Sequence, residues 1–511
     1  MEGRKSGKTS RRDILKALAT LPVLGFFANR FYAKSENDLN LPDFNRLHLD
    51  IADSSIQIPA TRYSSEGERL RLGIVGNGFR GPQVLRALGY AEKEWAEEKI
   101  ENGIPNSRLS SILNQDDFNV IITGVCDTYA PRAEEAAEIA SSPFRSGGAK
   151  QSARPQIYPT YREMLADDNL DAIVIMTPDH WHSKMAIDAA LAGKHVYLEK
   201  PMCQTAEDAR ALRDLIRKTG VILQLGHQNR QQASYIMAEE IIDKGILGSV
   251  SSIETYSNLN SDNGAWNREI PEHANASNLN WKEFLGNKPW RELDLDRYFN
   301  WQKWFEFGTG PAGNQFTHSY DCVNQIFKLG IPKRVFAAGG NYFFKDPRDI
   351  PDVLNVVFEY PDKGLSLTYD CSLLCSRKRN ITFLGKDASM EVDVGVVVFP
   401  DATSEKYKEY SLKPDAPLFT YNPKSNAIDA VTSATEKYYH DRGFGYTYYN
   451  GKPIDGTYLH VKEWLHCIRS GIQPSCNVER GFEETTTFYM SNLAYLEKRM
   501  VEWDAENEKI L

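Results

Sequence analysis

One junction constrains this chain more than any other. Arg71-Leu-Gly-Ile-Val-Gly76 reads as a short apolar strand. It runs into Gly76-Asn77-Gly78-Phe79-Arg80-Gly81 and then into a helical stretch from Pro82 to about Ile100. Strand, G-x-G-x-x-G and helix in that order make a dinucleotide fingerprint. Gly76 permits the tight turn, Gly78 lets the backbone approach a pyrophosphate, and Gly81 lets helix and strand pack closely. The phosphates are expected on free N–H groups at the helix start. Gly76, Asn77, Gly78, Phe79, Arg80 and Gly81 are therefore the first cofactor candidates.

The rhythm continues downstream. Val120-Ile-Ile-Thr-Gly-Val-Cys-Asp127 is a second strand, and Asp127 at its end is placed to accept from adenosine ribose hydroxyls. A carboxylate there repels a 2′-phosphate, so NAD is expected rather than NADP. Asp127 follows Gly81 by 46 residues, against about 20 in the usual spacing, so residues 101–117 read as an inserted turn and short helix. Arg132, close behind, is the one residue that argues for a phosphate. A third strand, Asp171 to Thr177, is apolar throughout, as a strand covered on both faces must be. It ends in Thr177-Pro178-Asp179-His180-Trp181-His182, with a helix expected over Ser183–Ala192. A fourth, His195–Leu198, ends in Glu199-Lys200-Pro201, and Val221–Gly226 follows after a helix over Thr205–Thr219. Unbroken β-α-β alternation predicts an α/β fold with a parallel, doubly wound sheet. Ligands bind beyond the carboxyl ends of such strands, which is where Gly76, Asp127, Thr177, Pro178, Glu199 and Lys200 all stand.

The first 33 residues read as an address. Ser10-Arg11-Arg12-Asp13-Ile14-Leu15-Lys16 precedes an apolar run from Ala17 to Phe27, too short for a confident membrane span. The Arg11-Arg12 pair resembles a bacterial twin-arginine signal, which implies folded export to the periplasm through that machinery, or a membrane tether if the leader stays attached. Seven Lys/Arg against two Asp/Glu in residues 1–33 leave the rest of the chain more acidic than the overall −9. An acidic body excludes nucleic acid as an expected partner. Residues 34–66 are polar and read as an extended arm. The division expected is 1–33 signal, 34–66 arm, 67–226 Rossmann domain and 227–511 a second, C-terminal domain. Seven scattered cysteines without CxxC spacing suggest neither zinc nor a disulfide framework. His180 and His182 lack a third ligand at known spacing, so no metal is expected.

GNGFRG, TPDHWH, EKP and the downstream Gly313-Asn314-Gln315-Phe316-Thr317-His318-Ser319-Tyr320-Asp321 together resemble the Gfo/Idh/MocA oxidoreductases, from about residue 70 to the C-terminus. Tyr298-Phe-Asn-Trp301-Gln-Lys-Trp304 and Val501-Glu-Trp-Asp504 look like the secreted, sugar-active branch of that family. The resemblance implies a C-terminal α/β domain with a large, open, mostly antiparallel sheet through which members commonly form homo-oligomers. Alternation at Val250–Tyr256, Asn355–Tyr360 and Leu365–Tyr369 allows it. Helices are expected at Ala233–Lys244, Ser319–Leu329 and Leu459–Ser470.

The resemblance also assigns roles. Lys200 is the base for a carbinol proton, provided burial or a nearby cation depresses its pKa. His318 is the second catalytic position, an imidazole that relays or donates a proton. Many relatives carry Asp four residues before that histidine, where this chain has Asn314, which orients a hydroxyl but carries no proton. Glu199 either bonds cofactor or substrate or pairs with Lys200. Pro178 and His182 are expected near the nicotinamide. Trp301 and Trp304 suggest a stacking floor for a sugar ring, and Tyr256 and Arg268 are further substrate candidates. Residues 401–457, with Tyr446-Thr-Tyr-Tyr449, read as a substrate loop or a surface excursion.

Free NAD is scarce outside the cytoplasm, so an exported enzyme is expected to keep and recycle its cofactor. A carbohydrate oxidoreductase fits that demand. So does a redox-neutral glycosidase or lyase, in which transient oxidation acidifies a neighbouring C–H. A non-catalytic carbohydrate-binding protein is the third class, against which Lys200 and His318 argue.

Overall fold

The computed structural model describes residues 63–101, 107–148, 153–260, 265–408, 416–422, 446–449 and 452–511. The leader lies outside these residues, as do all but Tyr63–Glu66 of the arm and most of the 401–457 segment.

Six parallel strands form the first sheet: β1 (Leu70–Val75), β2 (Val120–Cys126), β3 (Gln156–Ile157), β4 (Ala172–Ile175), β5 (His195–Leu198) and β6 (Leu223–Leu225). Their spatial order is β3-β2-β1-β4-β5-β6, the doubly wound arrangement of a dinucleotide-binding domain. Every residue of β4 is buried. Alternate side chains leave its two faces, so Ala172 and Val174 join one core while Ile173 and Ile175 join the other.

The helices differ instructively from expectation. The stretch from Pro82 is broken into α1 (Gly81–Ala87) and a second helix at Lys93–Glu101. The break falls at Gly89, whose φ of +91° suits glycine and where a Cβ would meet Ser146. The helix α2 (Asp179–Leu191) starts four residues earlier than expected, so TPDHWH opens a helix rather than preceding one. The helix α3 (Ala206–Thr219) is capped by the Thr205 hydroxyl, which accepts from the Asp208 N–H, and ends at Gly220 with φ +70°.

The second sheet has ten strands. Its members are β7 (Val250–Asn258), β8 (Arg334–Gly340), β9 (Val353–Tyr360), β10 (Leu365–Ser372), β11 (Ile381–Gly385), β12 (Ala388–Val392), β13 (Val396–Pro400), β14 (Phe419–Tyr421), and β17 and β18 below. A separate hairpin joins β15 (Tyr446–Tyr449) to β16 (Lys452–Asp455), and β17 (Val501–Asp504) and β18 (Lys509–Ile510) close the chain. All described pairs in the large sheet are antiparallel except β7 with β10. Leu365, Leu367, Tyr369 and Cys371 alternate into its buried face. The helices α4 (Thr317–Phe327) and α6 (Val478–Glu497) contribute Tyr320, Val323 and Phe488 to the same core. Phe316, just before α4, stacks on Phe358 of β9 with ring centroids 4.7 Å apart. That contact fixes the start of α4, which carries His318, against a rigid sheet.

The linear division at residue 226 needs one amendment. The intervening helix α5 (Gly456–Ser470) sends Leu459, Val461, Trp464 and Leu465 into the core of the first sheet. The C-terminal third of the chain thus returns to complete the Rossmann domain. Tyr63 docks on the same helix, its hydroxyl donating to Glu463 and its ring 5.0 Å from His466. All seven cysteines are free thiols, six of them buried.

Candidate functional site

The carboxyl ends of β1, β2, β4 and β5 open into one crevice of about 550 Å³. Its floor is the first domain and its far wall comes from residues 268–318.

At one end lies the glycine loop. Gly76 has φ +82°, and a Cβ there would sit 2.7 Å from the Met176 carbonyl oxygen. It serves both the turn and the close packing of β1 against β4. Gly78 is different, because a Cβ there would meet nothing nearer than Arg132 Nη1 at 3.9 Å. The surface it leaves bare faces the crevice, a cradle suited to a pyrophosphate. Phe79 also lines the crevice and is 65% exposed. The Asn77 N–H donates to Asp127 Oδ2 at 2.7 Å, and the Tyr129 N–H donates to Asp127 Oδ1 at 2.9 Å. Asp127 therefore shapes the loop while lining the cavity with Arg132.

Three expected cofactor residues stand back from the cavity. The Asn77 side chain turns away, its amide donating to the Arg132 carbonyl and to Glu135. Gly81 packs on that same side chain, since a Cβ there would clash with Asn77 Oδ1; its close neighbour is the loop, not the strand. His182 is buried, with Nδ1 2.7 Å from the Pro201 carbonyl and Nε2 2.8 Å from the Thr177 carbonyl. It braces the two strand-end loops that carry Thr177, Pro178 and Lys200. His180 likewise serves structure. Its Nε2 lies 2.8 Å from the Phe284 carbonyl, and burial pulls its pKa down to about 3.

Glu199 does not pair with Lys200. Its Oε1 accepts from Arg80 Nε at 2.7 Å, and Arg80 also donates to Gln83 and Gln228. Burial opposes the Glu199 charge, but the guanidinium outweighs it and holds the carboxyl below its usual range. Arg80 thereby locks the glycine loop to the end of β5.

Lys200 projects to the opposite wall, where Nζ donates to the Asn314 carbonyl at 2.8 Å. Burial lowers its pKa, against the pull of Asp179, Glu199 and Glu484. Asn314 sits on a π-helical turn, Ala312–Phe316, that runs straight into α4. Gly313 is required there, because a Cβ would strike the Thr309 side chain. Asn314 Oδ1 accepts from Gln302 Nε2 at 2.8 Å, leaving Nδ2 buried without a protein partner. His318 lines the same wall with an equally unpartnered, buried Nδ1. Burial, then the charges of Lys200, His227 and Arg80, hold its pKa well below that of free histidine, so the ring is neutral.

Of the substrate candidates, Trp301 and Arg268 line the cavity. Arg268 donates to Gln302, joining the network on Asn314. Burial and the charge of Arg132 lower its pKa to about 10. Trp304 is core, its indole N–H donating to the Pro347 carbonyl at 3.1 Å. Tyr256 lies on β7 outside the crevice, with Arg379 stacked 4.9 Å from its ring. Gln228 and Gln302 were missed. Gln228 sits in no motif singled out above, whereas Gln302 lies inside the Tyr298–Trp304 stretch, where only the tryptophans drew attention. Also missed was a buried group behind the site, His227, Asp321 and Glu484, whose ligand-type atoms lie within 4.8 Å of one another.

These residues fit a nicotinamide dinucleotide. The bare surface at Gly78 and the carboxylate at Asp127 suit its phosphates and ribose, and Asn314 and His318, each with an unpartnered nitrogen, line the opposite wall. Comparison with known proteins agrees. Residues 70–227 match the family described as oxidoreductase, NAD-binding Rossmann fold. A levoglucosan dehydrogenase of Pseudarthrobacter phenanthrenivorans is 25% identical over 281 residues, 53% of this chain and 57% of that protein. The scyllo-inositol 2-dehydrogenase (NAD(+)) of Bacillus subtilis is 35% identical over 112 residues, 22% of this chain and 32% of that protein. The chain thus matches between about a third and just over half of these relatives' length. In three dimensions, levoglucosan dehydrogenase in complex with NADH and levoglucosan superposes with a TM-score of 0.56 at 17% identity, covering 85% of this chain and 99% of the other. At that identity the likeness speaks for the fold.

Proposed function

This chain belongs, through its Rossmann domain, to the Gfo/Idh/MocA oxidoreductase family, and from that premise we propose that it oxidises a carbinol of a sugar or sugar derivative by hydride transfer to a NAD it keeps bound. The observation that carries the reading is Lys200, a buried amine of lowered pKa that bridges the floor of the crevice to the Asn314 carbonyl. Bound NAD supplies the hydride acceptor. The chain's own residues do the rest. Lys200, as free amine, takes the hydroxyl proton. His318, held neutral, offers a ring nitrogen to pass that proton on. Asn314 Nδ2, fixed by Gln302, donates to a neighbouring sugar hydroxyl, and Trp301 offers a face to the ring. The named activities of the relatives, on levoglucosan and scyllo-inositol, support a small carbohydrate as substrate.

We extend the proposal to location and assembly. Arg11-Arg12 and the apolar run after it support twin-arginine export of a folded, cofactor-loaded protein to the periplasm. Phe336 and Val357, paired across β8 and β9 and each about 40% exposed, support a homo-oligomer formed through the open sheet. The redox-neutral glycosidase or lyase remains the second reading, favoured by Asn314, where many relatives carry a proton-bearing Asp.

Mass spectrometry of the purified protein, followed by incubation with a sugar panel, tests the proposal. Stoichiometric NAD(H) whose absorbance cycles between an oxidisable and a reducible sugar is the expected result. Cleavage of a nitrophenyl glycoside without net NADH would favour the second reading. Protein with neither bound cofactor nor turnover would overturn both.

A further inference from the structure

His318 faces a second imidazole. The His227 ring, just past β6, meets it edge to face, with centroids 5.5 Å apart and planes at 86°. His227 Nε2 lies 2.5 Å from Glu484 Oε2 on α6, and both side chains are buried. His318 Nδ1, both ring nitrogens of His227 and Glu484 Oε1 are buried, and none makes a hydrogen bond of good geometry within the protein. Buried polar atoms are normally satisfied, so a run of unsatisfied ones beside a reacting group calls for a role.

The surrounding charges say what that role is. Asp321 is paired with Arg230 at 2.5 Å, and Glu199 with Arg80 at 2.7 Å. Burial favours the neutral Lys200 amine and outweighs the opposing pull of Asp179. Of the remaining neighbours, His460 is kept neutral by burial and the Cys476 thiol is pushed far up. With the Asp321 and Glu199 carboxylates paired, His227 and Glu484 are the buried groups behind Lys200 and His318 whose proton count can change. Burial lowers His227, but Glu484 and Asp321 carry it above its usual value, while burial raises Glu484. Burial favours the neutral form of Glu484, so its carboxylate is the member of the pair suited to take a further proton. Arg230 on Asp321 and the nearby Lys200 disfavour a metal cation in the same cluster.

We propose that the buried His227–Glu484 pair stores the proton lifted from the substrate hydroxyl, receiving it by way of His318 and returning it in the reverse half-reaction. The proposal rests on the hydride-transfer reading above. In the oxidising half-reaction the carbinol C–H bond breaks and its electron pair leaves as hydride to NAD. The O–H bond breaks as the carbonyl forms, and its proton passes from Lys200 and His318 to the Glu484 carboxylate. Reduction removes the positive charge of the oxidised nicotinamide, and the extra proton on the pair replaces it. An enzyme that never releases its cofactor can then hold hydride and proton together until a second substrate collects both. His227 and Glu484 act through His318 and are positioning residues.

The test uses the full NAD-loaded chain in weak buffer with a pH-indicator dye, and levoglucosan, myo-inositol and glucose as reductants. Wild type is expected to release well under one proton per nicotinamide reduced. Glu484→Gln and His227→Gln are expected to release about one, and Glu484→Asp to restore retention. Infrared difference spectra, reduced minus oxidised, need no variant. Wild type should gain a protonated-carboxyl band, absent in Glu484→Gln. Borohydride reduction of the bound cofactor brings hydride but no hydroxyl proton, so the same carboxyl band is expected there with the proton drawn from water. Three silent sugars would thus count against the hydride-transfer reading, while the borohydride spectrum still decides this one. A full proton released by wild type, or no carboxyl band on reduction, overturns the proposal.

Discussion

The two walls of the crevice are built on different principles. The cofactor wall is mostly backbone: a glycine loop, strand ends and a carboxylate that fastens the loop from below. Its parts run from Gly76 to Glu199 in sequence and are brought together by the sheet. The opposite wall is mostly side chains. Gln302 holds the Asn314 side chain within that wall, His318 follows one turn on, and Lys200 reaches across from the first domain to the Asn314 carbonyl. The difference teaches that binding and chemistry are separable here. Changes on the first wall should alter cofactor retention or folding, and changes on the second should alter turnover with the cofactor still in place.

The strongest way to break that comparison is Lys200→Ala. Turnover should fall by roughly 10²–10⁴-fold, the usual share of a general base, while mass spectrometry still finds NAD. Near-normal turnover would remove the assigned role.

The glycines give the next largest effect. Gly76→Ala forces a side chain into positive φ and against the Met176 carbonyl, which should cost roughly 1–3 kcal/mol of stability, read as a lowered thermal midpoint. Gly78→Ala meets only Arg132 Nη1, at an unstrained 3.9 Å. It should leave the midpoint of the cofactor-free protein unchanged and weaken NAD retention alone. Equal destabilisation by both would erase the distinction between the two glycines.

Asn314→Asp sharpens the comparison from the other side. A carboxylate beside Lys200 favours the ammonium and raises its pKa. Activity that needs the free amine should then rise with pH later than in wild type, shifting the limb of the pH–rate profile upward. An unmoved limb would separate Lys200 from the titration.

The smallest expected effect is on stability in acid. Folded His180 takes its proton only near pH 3, whereas unfolded histidine takes it near 6.5. Between those values the unfolded state binds more protons, so stability falls as pH is lowered through that window. His180→Asn should flatten that part of the curve measured by denaturant titration.

Much of the cofactor wall was legible in the sequence, because apolar strands and glycine punctuation are local signals. Even so, the break at Gly89 was hidden, since it depends on Ser146 closing over it. The two-residue β3 carries too few residues for any period to show. On both walls the long-range contacts were hidden even where the residue types were legible. Arg80 and Glu199 pair across 119 residues, and nothing local distinguishes that partner from the adjacent Lys200. Trp301 and Trp304 look equivalent three residues apart, yet the turn between them sends one to the crevice and the other to the core. His227 and Glu484 are far apart in sequence and form a pair only once α6 packs beside β6. The return of α5 to the Rossmann core was equally invisible, because its apolar face fits either sheet.

The central claim is that hydride moves between a sugar carbon and a cofactor that stays in the crevice. Its most direct measurement incubates the NAD-loaded protein with a sugar deuterated at the reacting carbon, removes unbound molecules, and weighs the cofactor released on denaturation. The account predicts that the protein-bound cofactor carries one deuterium. A sugar that is turned over while the bound cofactor stays unlabelled would contradict it.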